Sequence, residues 1–232
     1  MDFGPFEEKI GYSFKEKRFI EQAFTHRSYL NENRAQSAGR RSEHNERLEF
    51  LGDAVLELVV TEFLYAKYPE KPEGDLTAYR AALVNTVSIA DAAGKLGMNE
   101  YLLLSRGESR DMGRARQIIL ANAFEALIGA LYLDNGYDAA KDFIAAQLFH
   151  KTDEVVAKRL WQDAKSRLQE ISQEKLGFTP TYEMVNQTGP DHDKTFLVAA
   201  YVNTEKLATG EGRSKQEAEQ AAAEKALAAK GW

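Results

Sequence analysis

Glu46, Glu49 and Asp53 recur at i, i+3 and i+7 within HNERLEFLGDAVLEL (His44–Leu58). On a helix that spacing puts three carboxylates on one face. Leu48, Leu51, Val55 and Leu58 form an opposite apolar stripe, expected to face a core. Like charges one turn apart repel by roughly a few tenths of a kcal/mol per exposed pair, so this face calls for a compensating cation. A solvated acidic face is the plainer account of the spacing taken alone. A second stretch changes that balance. Across Ile118–Asp134 only Asn122 and Glu125 interrupt an apolar run, one turn apart. A carboxylate in such a helix needs a cation or a paired group. The cation could be an arginine, such as Arg80 or Arg116, or a metal held jointly with Glu49 and Asp53. Hard oxygen donors of this kind suit Mg²⁺, with Mn²⁺ as a substitute.

These residues need rigid elements to hold them. Apolar residues at helical spacing predict helices over Phe19–Leu30, Asn45–Tyr68, Leu76–Leu96, Ile118–Leu133 and Tyr137–Phe149. Breaks rich in Pro, Gly and Asn separate them at Tyr68–Asp75, Leu96–Tyr101 and Leu133–Tyr137. No strand is expected before about Trp161. The charged, weakly patterned segment 151–162 is expected to be a linker between a first domain over 1–150 and a second over 163–232. In the second, a helix (Ala164–Lys175) precedes three strand-like segments, Thr179–Gln187, Lys194–Asn203 and Lys206–Gly212. An Ala-rich helix (Lys215–Ala229) follows. This α-β-β-β-α order predicts two helices on one face of a small sheet.

The chain has 232 residues and no cysteine, which rules out disulfides and thiolate metal sites. Its start lacks an apolar run of signal-peptide length, and no stretch is expected to reach the roughly 20 apolar residues that span a bilayer. The protein is therefore expected to be cytoplasmic, with no membrane partner. The net charge of −6 argues at first sight against nucleic acid, whose binding depends on Lys and Arg. A metal-holding enzyme concentrates carboxylates, however, so the distribution of charge matters more than its total.

NERLEFLGD (Asn45–Asp53) resembles the signature of the ribonuclease III family, without substitution. AFTHRSYLNEN (Ala23–Asn33), EGDLTAYRAALV (Glu73–Val84) and ILANAFEALIGALYLD (Ile119–Asp134) are similar to its flanking blocks, in order, and this resemblance covers roughly Phe6–Leu148. The second domain resembles a double-stranded RNA-binding domain. SRLQE (Ser166–Glu170) matches its first helix, GPDH (Gly189–His192) the loop between its first strands, and Gly210–Leu227 its last helix. The resemblance implies an all-α nuclease domain followed by an α+β RNA-binding domain. It implies a homodimer that cuts double-stranded RNA with magnesium, in the processing of ribosomal precursor and messenger RNA. Products would carry 5′-phosphate and 3′-hydroxyl ends with short 3′ overhangs.

By the same resemblance Asp53 and Glu125 are the catalytic pair, with Glu46 an auxiliary carboxylate. Glu49, Asp53, Asn122 and Glu125 form the metal shell, Phe50 is the knob of the dimer interface, and Glu73 contacts RNA or positions the valley that two paired nuclease domains line with their acidic sites. A-form RNA is read by shape, through 2′-hydroxyls and phosphates. Ser166, Gln169, Glu170 and Gln173 suit the hydroxyl contacts, and His192 would enter a second groove. Arg213, Ser214 and Lys215 would meet phosphate at a helix N-terminus.

Two departures from the family pattern stand out. Asn122 replaces the family's Asp, removing one negative charge from the shell. The last helix keeps only Lys215 of several expected lysines, with Gln216 and Glu219 at the other places. From Asp163 to Trp232 nine Lys and Arg face eleven acids, so RNA binding should be weaker and less salt-dependent than in a lysine-rich relative. Asn122 leaves open a second function, a catalytically weakened or silent RNA-binding protein, which intact Glu46, Glu49, Asp53 and Glu125 disfavour. A hydrolase of small phosphate esters has no use for a duplex-reading domain, so no small-molecule substrate is expected.

Overall fold

The computed structural model describes residues 1–33, 43–110, 112–157, 161, 163–190 and 194–232. The chain divides into two compact units, Met1–Trp161 and Gln162–Trp232. Among its described residues the first is helical: α1 (Gly4–Ile10), α2 (Lys17–Ala23), α3 (Arg27–Glu32), α4 (Glu46–Lys67), α5 (Glu73–Val84), α6 (Thr86–Lys95), α7 (Arg114–Asn135), α8 (Tyr137–Leu148) and α9 (Thr152–Ala157).

Two helices are split where hydropathy alone runs on. Thr25 forms an isolated bridge with Leu103, and its hydroxyl donates to the Glu21 carbonyl, which ends α2 before α3 begins. Asn85 is extended and its side chain accepts from the Ser88 N–H, so it stops α5 and caps α6. Segment 151–162, expected to be a linker, contains α9. Thr152 is buried, Val155 and Val156 pack on the core, and Trp161 meets Tyr79 edge-on at 5.1 Å. Its alternation of apolar and charged residues is that of a short amphipathic turn, too brief to register as a pattern.

The core is built around α4 and α7. Leu56, Val59, Val60 and Leu64 of α4 and Phe124, Leu127, Ile128 and Leu131 of α7 are all buried. The apolar stripe expected on α4 is therefore rotated. Leu48 and Val55 do face the core, but Leu51 is half-buried and Leu58 is exposed, while Gly52 is buried. The reason is a glycine contact. A Cβ on Gly52 would lie 1.7 Å from the Glu125 carbonyl oxygen, and one on Gly129 2.3 Å from that of Leu48. The helices touch backbone to backbone there, which only glycine permits.

Against the sequence expectation, α7 is long and apolar enough to cross a membrane. Its apolar surface instead fills this core, as Ala121, Ala123, Ala126 and Ala130 are also buried.

The second unit consists of α10 (Ala164–Leu176), strands β1 (Pro180–Thr188), β2 (Thr195–Val202) and β3 (Glu205–Gly212), and α11 (Lys215–Lys230). The sheet is antiparallel in the order β1-β2-β3, with a bulge in β1 between Met184 and Asn186. Leu168 and Ile171 of α10, Ala200 of β2 and Ala222, Ala223, Ala226 and Leu227 of α11 share one core. The alanines, opposite Gly210 and Gly212, let α11 lie close on β3, where a Cβ on Gly210 would reach 2.1 Å from the Ala222 nitrogen.

Candidate functional site

The Gly52–Gly129 crossing fixes the chemistry beside it. Glu49 and Asp53 flank Gly52 on α4, and Asn122 and Glu125 precede Gly129 by two turns and one turn of α7. Close helix backbones thus bring side chains 70 residues apart in sequence into one electrostatic group.

The charges there act on each other. Glu125 is half-buried, and its carboxyl is pushed up to about 7, first by burial and then by the negative charges of Asp53 and Glu49. Burial, Glu46 and Asp53 raise Glu49 above the ordinary carboxylate range, opposed by a hydrogen bond from the Asn122 side chain. Among the described residues no cation acts on Glu125. The two arginines that could have neutralised it are engaged elsewhere. Arg80 pairs with Glu57 at 2.9 Å and donates to the Thr61 hydroxyl, and Arg116 donates to the carbonyls of Glu108 and Ser109.

Glu46, at the first residue of α4, stands apart in character. Its carboxylate lies 3.2 Å from Arg27 Nη1 and 3.7 Å from His44 Nδ1. Sequence reasoning missed Arg27 as a partner, because nothing in a helical pattern relates the start of α3 to the start of α4. The fold does so through Asn45, which is buried and bonded to the carbonyls of Ala23 and Thr25. Glu73, the first residue of α5, accepts from the Thr77 hydroxyl of its own helix. It is not among the charges acting on Glu49 or Glu125.

Among the described residues no three His, Cys, Asp or Glu side chains are drawn together as a ready metal cage. The donors at the crossing are nonetheless all hard oxygens: the carboxylates of Glu49, Asp53 and Glu125 and the amide oxygen of Asn122. With its nitrogen donating to Glu49, the Asn122 side chain keeps its oxygen as a further donor of the same hard class. This donor set fits a Mg²⁺-class ion by its chemistry, and the mutual repulsion of the acids gives such an ion something to relieve. Phe50, beside Glu49 on α4, is 82% exposed.

In the second unit, Ser166, Gln169, Glu170 and Gln173 line one edge of α10 and are exposed. The Ser166 hydroxyl donates to the capping carboxylate of Asp163, and the Gln173 amide donates to Thr179. Arg213, Ser214 and Lys215 are exposed at the start of α11. Ser214 caps that helix by accepting from the Glu217 N–H, and the Glu217 carboxylate accepts from the Arg213 N–H. His192 lies outside the described residues.

Comparison with known proteins converges on both units. A ribonuclease-III-like family model matches residues 16–152, and a double-stranded RNA binding motif matches residues 164–230. The chain is 43% identical over 221 residues to a ribonuclease 3 of Protochlamydia amoebophila, covering 95% of this chain and 89% of that one. It is 46% identical to that of Enterococcus faecalis, at 95% and 94% coverage. Among solved structures, the nuclease domain of ribonuclease III from Campylobacter jejuni is 41% identical, with a TM-score of 0.56. That match covers 65% of this chain and 98% of that domain.

Proposed function

Since the chain belongs to the ribonuclease III family, we propose that it is an endoribonuclease that hydrolyses phosphodiester bonds in double-stranded RNA, leaving 5′-phosphate and 3′-hydroxyl ends. The observation that carries this reading is Glu125. It is a half-buried acid lifted to about 7 by burial and by two neighbouring carboxylates, with no cation acting on it among the described residues. A carboxyl held so far from its ordinary range beside two other acids points to a site built for chemistry.

Glu49, Asp53 and Glu125, with the amide oxygen of Asn122, would hold a divalent cation, Mg²⁺ or Mn²⁺. Bound there, it supplies the Lewis acidity that activates water and stabilises charge developing on the leaving 3′ oxygen. Asp53 and Glu125 orient the attacking water and the scissile phosphate. Arg27 holds Glu46 at the rim, close enough for Glu46 to act on Glu49. The edge of α10 and the start of α11 meet the 2′-hydroxyls and phosphates of A-form duplex, which explains how an acidic chain selects RNA by shape.

The active form is a homodimer through Phe50. The Campylobacter jejuni structure is described for flexibility in its region involved in dimer formation, and an aromatic this exposed on a core helix asks for a partner surface. The working compartment is the cytoplasm, and its substrates are duplex regions of ribosomal precursor and messenger RNA.

The test is incubation of the purified chain with Mg²⁺ and matched duplex RNA, single-stranded RNA and duplex DNA. Cleavage confined to duplex RNA is expected. Equal cutting of the RNA and DNA duplexes would refute the reading.

A further inference from the structure

Lys165, in the first turn of α10, forms a close ion pair with Glu219, in the second turn of α11. The ammonium also sits 5.0 Å from the centre of the Tyr182 ring on β1. Lysine and glutamate are each about one-third exposed or less, so water screens this pair less than a typical surface pair. The Tyr182 hydroxyl beneath is buried and has no hydrogen-bond partner among the described residues. Burial, Asp163 and Glu219 push it up to about 12, so it remains a proton donor.

These groups border a depression of about 310 Å³, lined by Asp163, Lys165, Ser166, Gln169, Tyr182 and Gln216 among others. Ser166 and Gln169 belong to the edge of α10 assigned above to the 2′-hydroxyls. Gln216 follows Lys215 at the start of α11. The ion pair therefore stands between the two helix starts that face RNA.

We propose that Glu219 limits the RNA affinity of this domain by holding Lys165 in an ion pair and so withholding it from RNA phosphate. The inference rests on the second unit binding duplex RNA. A phosphate oxygen that approaches Lys165 must displace Glu219, and with Glu219 in place the pair has no net charge to offer. It releases no counterion when RNA binds and adds nothing to the salt dependence. Freed of Glu219, Lys165 would remain seated over the Tyr182 ring.

The test is fluorescence-anisotropy binding of the full chain to a labelled RNA duplex of roughly 20 base pairs, in EDTA, across a salt series. Wild type, E219Q, K165Q and the double variant are compared. E219Q should bind roughly three- to tenfold more tightly at low salt, with log K falling more steeply on log salt by just under one unit. K165Q should bind more weakly than wild type, because it leaves Glu219 uncompensated. The double variant should return close to wild-type affinity and slope.

An E219Q protein with unchanged or weaker binding would overturn the proposal, since the pair would then serve stability alone. So would a double variant as tight as E219Q, because the gain would not come from Lys165. Circular dichroism melting checks that each variant folds, and E219S replaces E219Q if the latter does not. Failure of the wild type itself to bind the duplex would instead refute the RNA-binding reading beneath.

Discussion

Glu125→Gln should stabilise the metal-free protein at alkaline pH and do nothing for it in acid. The Glu125 carboxyl is lifted from 4.5 to about 7 in the folded chain. A carboxyl raised by folding binds its proton more tightly in the native state. Its stability contribution is therefore whole below pH 4.5 and is lost as pH rises through 7. The full difference corresponds to about 3 kcal/mol. Water still reaches this half-buried group, and screening reduces the effect to on the order of 1–2 kcal/mol.

An amide of the same shape carries no charge and escapes the loss. At about 2–4 °C per kcal/mol for a unit of this size, the first unit of E125Q should melt roughly 2–8 °C above wild type at pH 8 in EDTA. At pH 4.5 the two should melt together. The assay is differential scanning calorimetry of both proteins at both pH values, repeated with Mg²⁺. Added metal should raise the wild-type midpoint at pH 8 and close the gap, because a cation removes the repulsion that the amide removes. An equal gain at both pH values would refute the reasoning, since the benefit would then come from packing. No gain at pH 8 would show that Glu125 is not repelled by Asp53 and Glu49.

Asn122→Asp should lower the Mg²⁺ concentration giving half-maximal cleavage of duplex RNA, and Mn²⁺ should rescue the chain as it stands better than added Mg²⁺; E125Q should abolish cleavage with either metal in the same titration. Gly52→Ala forces a Cβ into the Glu125 carbonyl and should cost 3 kcal/mol or more, above the usual overpacking range of about 1–3 kcal/mol, because backbone rather than a side chain must yield. It should be seen as a lowered first melting transition with duplex binding intact. Phe50→Asp should convert the dimer to monomer, and light scattering showing an unchanged dimer would remove Phe50 from the interface.

The site was legible in the sequence because its signal is local. Glu46, Glu49 and Asp53 share a helical face by spacing, and Asn122 and Glu125 stand out as polar positions in an apolar run. Their meeting was not legible from periodicity, since it depends on Gly52 and Gly129, which carry no hydropathy signal. The same contact explains the misplaced stripe on α4. Leu58 fits a leucine pattern, yet the crossing turns α4 so that Leu56 points inward and Leu58 outward. The breaks at Thr25 and Asn85 come from a long-range bridge and a side-chain cap, which override helical spacing. In the second unit Glu219 looked like a missing lysine, and only the fold reveals that its charge is already taken by Lys165.

That crossing also decides what drives assembly of the carboxylate group. Burial of the Glu125 charge, and after it repulsion from Asp53 and Glu49, opposes the arrangement by on the order of 1–2 kcal/mol after screening. Against it stand Leu56, Val59, Val60 and Leu64 of α4 and Phe124, Leu127, Ile128 and Leu131 of α7, all fully buried. Each contributes about 1.5–3 kcal/mol, so packing outweighs repulsion several-fold. The acids are thus brought together by apolar burial through paired glycines, not by a metal that folds the chain around itself. In a small zinc domain, metal-binding energy is folding energy. On the proposed reading folding would precede the metal, and the repulsion left among the acids would favour a cation that binds and leaves without unfolding the protein.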